Sequence, residues 1–140
     1  MNTHFKHIVL LLLLLYSQLL HAQKKVSLEV GKTIRIASCK NKSSFKGIDV
    51  YARTTPYNKK GIDLKTGDGL VAAFFSKNAS IDAKRLPCSM GGKQYQIAAL
   101  QEYETDAGTK KIVICYTNYD LTLIWIDLDE AMKANEIIWR

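Results

Sequence analysis

Acidic side chains are the densest source of chemistry in this chain. Asp127, Asp129 and Glu130 fall within one four-residue stretch, and hard cations such as calcium or magnesium take clustered carboxylate oxygens. The following Ala131-Met132 supplies neither the further oxygen ligands nor the glycine of a calcium loop. Asp127 with Glu130 three residues on fits a helix capping box instead, the acids complementing the helix dipole. Glu102 and Glu104 would share one strand face, and two carboxylates about 5–9 Å apart can cleave a glycoside. Nothing else marks a sugar cleft, so this pair reads as a solvated strand end.

Nucleophilic chemistry lacks its usual base. All three histidines, His4, His7 and His21, lie near the N-terminus, in a segment expected to be removed. Without them there is no Ser-His-Asp or Cys-His arrangement, no imidazole base and no histidine-containing zinc site. Lys59-Lys60-Gly61 and Lys65-Thr66-Gly67-Asp68-Gly69 faintly resemble phosphate loops, but the spacing of a P-loop is not met. Cys39, Cys88 and Cys115 do not have zinc spacing, and a catalytic thiol would have no histidine to activate it.

Residues 1–22 read as a secretory signal peptide. Lys6 gives a positive start, Ile8–Leu15 an unbroken apolar run, and Ala22 a small residue before the cut. The run is shorter than the roughly 20 residues of a membrane span. Leu20 is large for the −3 position, but cleavage after Ala22 is the expectation, leaving residues 23–140 as one exported domain. The new N-terminus is Gln23 and the first cysteine is Cys39, so a periplasmic or secreted protein without a lipid or transmembrane anchor is expected. In such an oxidising compartment three cysteines give one disulfide and one thiol. Cys115 sits in the apolar run Ile112-Val113-Ile114, whereas Cys39 and Cys88 lie at element ends beside adaptable loops. The expected bridge is therefore Cys39–Cys88.

Charge is unevenly placed. Lys6 alone among the 20 lysines and arginines belongs to the leader, leaving a mature net charge of +6. The segment 23–95 carries 15 cations against 5 anions, and 96–140 carries 4 against 8. Lys24-Lys25, Lys40 with Lys42, Lys59-Lys60 and Lys84-Arg85 punctuate the basic part. Such an excess can steer an anionic partner.

The elements that would position these groups are mostly strands. Val26–Val30 and Thr33–Ala37 alternate around Gly31-Lys32 and predict an opening hairpin. Ile48–Arg53 alternates again, and Thr54–Gly69 is long enough to be a functional loop. Leu70–Phe75 is a short apolar run expected as a central strand, and Ser80–Leu86 is expected to make one or two helical turns before Pro87. Gln94–Tyr103 and Lys111–Tyr116 flank a turn at Asp106-Ala107-Gly108. Leu121–Ile126, a short helix from Asp127, and a closing strand Glu136–Trp139 complete the chain. The class is α+β, mainly antiparallel β, as a sheet, small barrel or sandwich with one or two short helices.

These features point to a non-enzymatic binding or inhibitor-type module for an anionic macromolecule or acidic protein surface. Tyr51, Arg53 and Tyr57 are the candidate stacking aromatics and cation, and Lys59, Lys60, Lys84 and Arg85 the candidate charged contacts. Nucleic acid is not the expected partner of an exported protein, and no cofactor is expected. Two alternatives remain: a carboxylate- or metal-dependent hydrolase, and a structural component of a surface assembly pairing through edge strands.

Overall fold

The computed structural model describes residues 27–40, 43–77 and 79–139. The expected leader, its cleavage point and Val26 lie outside them. The strands are β1 (Thr33–Ile36), β2 (Ile48–Arg53), β3 (Ile81–Arg85), β4 (Gln94–Thr105), β5 (Gly108–Tyr116), β6 (Thr122–Asp127) and β7 (Ile137–Ile138). Two short helices, α1 (Leu70–Phe74) and α2 (Leu128–Lys133), and a 3₁₀ turn at Cys88–Met90 accompany them. The strands form one curled, half-barrel sheet in the order β3-β2-β6-β5-β4-β1-β7, each pairing antiparallel.

Strand β5 shows how the sequence pattern becomes two cores. Ile112 and Ile114 pack on one face with Leu123, Ala98, Ala99, Leu70 and Phe74. Val113 and Cys115 point the other way, toward Ile34, Ile48, Ile97, Ile124, Ile126 and Phe45. A continuous apolar run is what a strand covered on both faces requires. Between Ile97 and Ala99 the register with β5 slips by one residue. This bulge turns both Ala98 and Ala99 into the second core.

The β4–β5 hairpin forms at the expected turn, with Thr105 paired to Gly108 and Gly108 at φ 113°. Three other expectations are corrected. Leu70–Phe74 is a helix, not a central strand: Leu70 and Phe74, one turn apart, are both fully buried while Ala72 is exposed. A short apolar run fits either state, and here the sheet face beneath needed a cover. Ile81–Arg85 is the edge strand β3 rather than helical turns, because pairing with β2 along five positions overrides weak local preference. The opening hairpin is absent, with no strand at residues 27–30. Both edges of β1 are taken instead, by β4 and β7.

Helix α2 begins as its sequence predicts, the Asp127 carboxylate accepting the Glu130 N–H at 3.4 Å. The reciprocal half of the box is replaced, since the Asp127 N–H donates to the Gly47 carbonyl at 2.8 Å. Gly47 lies so close to α2 that a Cβ there would collide with the Ala131 backbone nitrogen. Beside it the Glu136 carboxylate, 1% exposed, accepts the N–H groups of Lys46 at 2.5 Å and Gly47 at 2.9 Å.

The Cys39–Cys88 disulfide forms as expected, joining the segment after β1 to the 3₁₀ turn across 49 residues of sequence. Cys115 is the buried thiol. The closed loop predicts that a Cys39→Ala/Cys88→Ala variant loses about 4 kcal/mol of unfolding free energy, read by denaturant titration.

Candidate functional site

The residues singled out from sequence do not gather in one place. Arg53, at the end of β2, is only 9% exposed. Its Nε donates to the Thr55 carbonyl at 2.9 Å, its Nη1 to the Phe74 carbonyl at 2.5 Å, and its Nη2 to the Pro56 carbonyl at 3.3 Å. These bonds fasten the end of α1 and the start of the long loop to β2. The guanidinium is occupied by the protein's own backbone rather than offered to a ligand.

Tyr57 is what this clasp presents. Its ring packs edge-on to Phe74 at 5.2 Å, under Arg53 at 5.5 Å, with the Lys59 ammonium 5.3 Å from its centroid. Lys59 also reaches Asp120 at 3.8 Å, and Lys60 is exposed next to it. Tyr51 lies further along the same sheet face, among Phe75 at 5.3 Å and Trp125 at 5.6 Å. Arg85 pairs across the strands with Asp49 at 3.1 Å. Lys84 alternates to the opposite side of β3 and is solvated. Arg53, Tyr57, Lys59 and Lys60 thus share one end of the face, and Arg85 occupies the other.

Two adjoining depressions mark the first of these ends. One, of about 250 Å³, is lined by Tyr57, Lys59, Ile62, Leu64, Tyr116, Tyr119 and Asp120. The next, of about 470 Å³, is lined by Ser89, Met90, Lys93, Tyr95, Tyr116, Asn118 and Tyr119. Tyr116, Thr117 and Tyr119 belong to both. The wall between them is a stiff turn, in which the Thr117 hydroxyl accepts the Tyr119 N–H at 3.0 Å and lies 3.1 Å from the carbonyls of Tyr119 and Thr122. Tyr95 is fixed by donation of its hydroxyl to the Met90 carbonyl at 2.6 Å. Tyr119 and Leu64 are 71% and 74% exposed.

Sequence reading missed Tyr95, Tyr116, Tyr119 and Leu64. The available signal was Asn118-Tyr119-Asp120, which sets an aromatic ring in a turn with no apolar face to bury it. Burial holds the phenols of Tyr57, Tyr95 and Tyr116 above their ordinary pKa, and does the same for Tyr51.

The acidic candidates have other partners. Asp127 caps α2 and binds the Lys110 ammonium at 2.7 Å, and Glu130 lies 3.8 Å from Lys133. Glu104 accepts the Thr109 hydroxyl at 2.8 Å across the hairpin, and Glu102 stands opposite Lys111. Among the described residues no three histidine, cysteine or acidic side chains gather as a metal site, and no helix is long and apolar enough to cross a membrane. No protein-family model, curated protein or solved structure matches this chain.

Two outcomes follow from this geometry. Arg53→Ala should cost about 2–3 kcal/mol, because it strips charged donors from buried carbonyls. Arg53→Lys should recover only part of that, since an ammonium cannot reproduce the guanidinium fork. Denaturant unfolding measures the loss, and faster proteolysis within 54–69 locates it.

The second outcome concerns alkali. Burial pushes the Cys115 thiol from 9.0 up to about 12, and the hydrogen bond to Asp127 chiefly raises Lys110. With the four raised phenols, each group holds its proton more tightly folded than unfolded. Their stabilisation is complete below the unfolded pKa values and is lost as pH rises through the folded ones. The thermal midpoint should therefore fall steadily from about pH 9 toward pH 12. Cys115→Ala should flatten that fall while lowering the midpoint at pH 8.

Proposed function

We propose that this chain is a non-enzymatic binding module of an oxidising, periplasmic or extracellular compartment, which grips an acidic protein surface with its tyrosine-rich end. The observation that carries the reading is the convergence of Tyr57, Tyr95, Tyr116 and Tyr119 around two shared depressions beside Leu64. Tyrosine offers a large, rigid contact area at low entropic cost, with a hydroxyl that tolerates water at the edge. Ser89, Thr117 and Asn118 add the small adaptable polar groups that accompany tyrosine in binding surfaces. One exposed apolar side chain is ordinary. Leu64 and Tyr119 exposed on the walls of one depression make a patch.

Lys59, Lys60 and Lys93 rim this end, and its acid, Asp120, is already paired with Lys59. Rim cations contribute more to steering and partner choice than to holding. The Cys39–Cys88 bond supports the oxidising compartment. The hydrolase alternative loses support, because Asp127 is held by the helix cap and Lys110.

Affinity capture from native envelope and secreted fractions tests the reading, with Leu64→Ser/Tyr119→Ala as the matched bait. A partner retained by the native chain should drop at least about tenfold on that variant, as loss of a central anchor does. Lys59→Glu/Lys60→Glu should slow association, most strongly at low salt. Lys84→Glu/Arg85→Glu, altered elsewhere, should bind as the native chain does. Equal retention by all four baits removes the proposal.

A further inference from the structure

At the far end of the same sheet face is a third depression, of about 590 Å³, with an aromatic floor and charged walls. Trp125 and Tyr103 supply the floor, their centroids 6.2 Å apart and their planes inclined by only 26°. Another ring entering between them would need about two van der Waals spacings, roughly 7 Å. They are therefore one platform rather than a slot. Tyr103 is 39% exposed, and the Trp125 ring is held on its other sides by Tyr51 and Phe75 at 5.6 Å each. The platform is rigid before any ligand arrives, which keeps the ordering cost of binding low.

The walls select against charge. Arg85 pairs with Asp49 at 3.1 Å on one side, and Lys110 with Asp127 at 2.7 Å on the other. Lys46 and Glu130 complete the rim, so cations and carboxylates are equal in number. A phosphate or sulfate would have to displace a carboxylate already in place. A hydroxyl would not, because it both donates and accepts, and a paired carboxylate or guanidinium keeps spare lone pairs or N–H groups. A ligand that suits this site has a flat C–H face for the rings and hydroxyl groups around its edge.

We propose that the Trp125–Tyr103 face is a binding site for a neutral oligosaccharide, separate from the tyrosine-rich end and independent of it. Aromatic walls with a few placed polar groups are the usual make-up of a small-ligand site. The basic character of the chain plays no part in this site.

The two tryptophans provide the test. Trp139 lines a depression with Leu28 and Ile34, on the other core's side of the sheet, so its indole N–H resonance is an internal control for that of Trp125. Chitotriose, cellotriose, maltotriose and mannotriose are each titrated to about 10 mM, a range that registers millimolar affinity. At least one should shift the Trp125 indole saturably, leave Trp139 in place, and bind equally well when salt is raised. Tyr103→Ala should weaken that binding roughly tenfold or more, as loss of a stacking ring does, while the protein stays folded with a melting temperature lower by only about a few degrees. Asp49→Asn should weaken it as well, through the edge hydroxyls. No shift with any of the four sugars overturns the proposal. So does an unchanged affinity in both variants, or salt-sensitive binding of inositol hexakisphosphate at Trp125 in place of the sugars.

Discussion

The Glu136 carboxylate is the point on which the rest of the structure depends. It is a charge taken almost wholly out of water, and it is stable there because the Lys46 and Gly47 N–H groups donate to it. Its own backbone joins Ala37 after β1 to Ala131 in α2. Gly47, held by that carboxylate, passes its carbonyl to Asp127 at the end of β6. One residue thus ties the entry to β2, the exit of β6, the short helix α2 and the closing strand β7. Gly47 has no side chain because α2 lies where a Cβ would be.

A basic counterpart acts at the other end of β2. Arg53 and Glu136 are the two charged residues buried among those described, and each is satisfied mainly by backbone. Glu136 closes the side of the sheet where α2 packs, and Arg53 fastens the loop and α1 over the opposite side. Between these clamps the Ile112–Cys115 part of β5 is buried on both faces. The long Thr54–Gly69 connection can then lie against the sheet and bring Tyr57 and Leu64 beside the Tyr119 turn. The Arg53 clasp fixes the start of this loop, and the loop's own Asn58, Asp63 and Thr66 side chains fix its turns by accepting the N–H groups of Lys60, Lys65 and Asp68.

The sequence was most legible where period and turn chemistry agreed. β2 follows its alternation, β4 does so outside the bulge at Ala98, β5 and β6 lie on their apolar runs, the Asp106-Ala107 turn lies where glycine allowed it, and Asp127 caps its helix. It was misleading where an apolar run was too short to show a period. Leu70–Phe75 could have been a strand, and only the uncovered sheet face made it a helix. Ile81–Arg85 has no strong strand pattern and is a strand through its partner β2. The site was less legible still. Tyr57, Lys59 and Lys60 were recognised as candidates, but Tyr95 and Tyr116 come from the paired strands β4 and β5, and no spacing in the chain relates them to the loop.

By itself the sequence determined the mainly antiparallel class, the capped helix, the hairpin, and the choice of Cys39 and Cys88 over Cys115 for the bridge. Those are local properties, set by alternation, capping residues and the contrast between apolar and loop surroundings. The tertiary structure alone decided that Arg53 faces inward, that Arg85 and Lys84 point to opposite sides of one strand, and that Trp125 and Tyr103 form a shared platform. Each depends on strand register and on what covers each sheet face. A slip of one residue in register exchanges the faces, and outside the β4–β5 hairpin no tight turn sets it, so it is decided by which faces become buried.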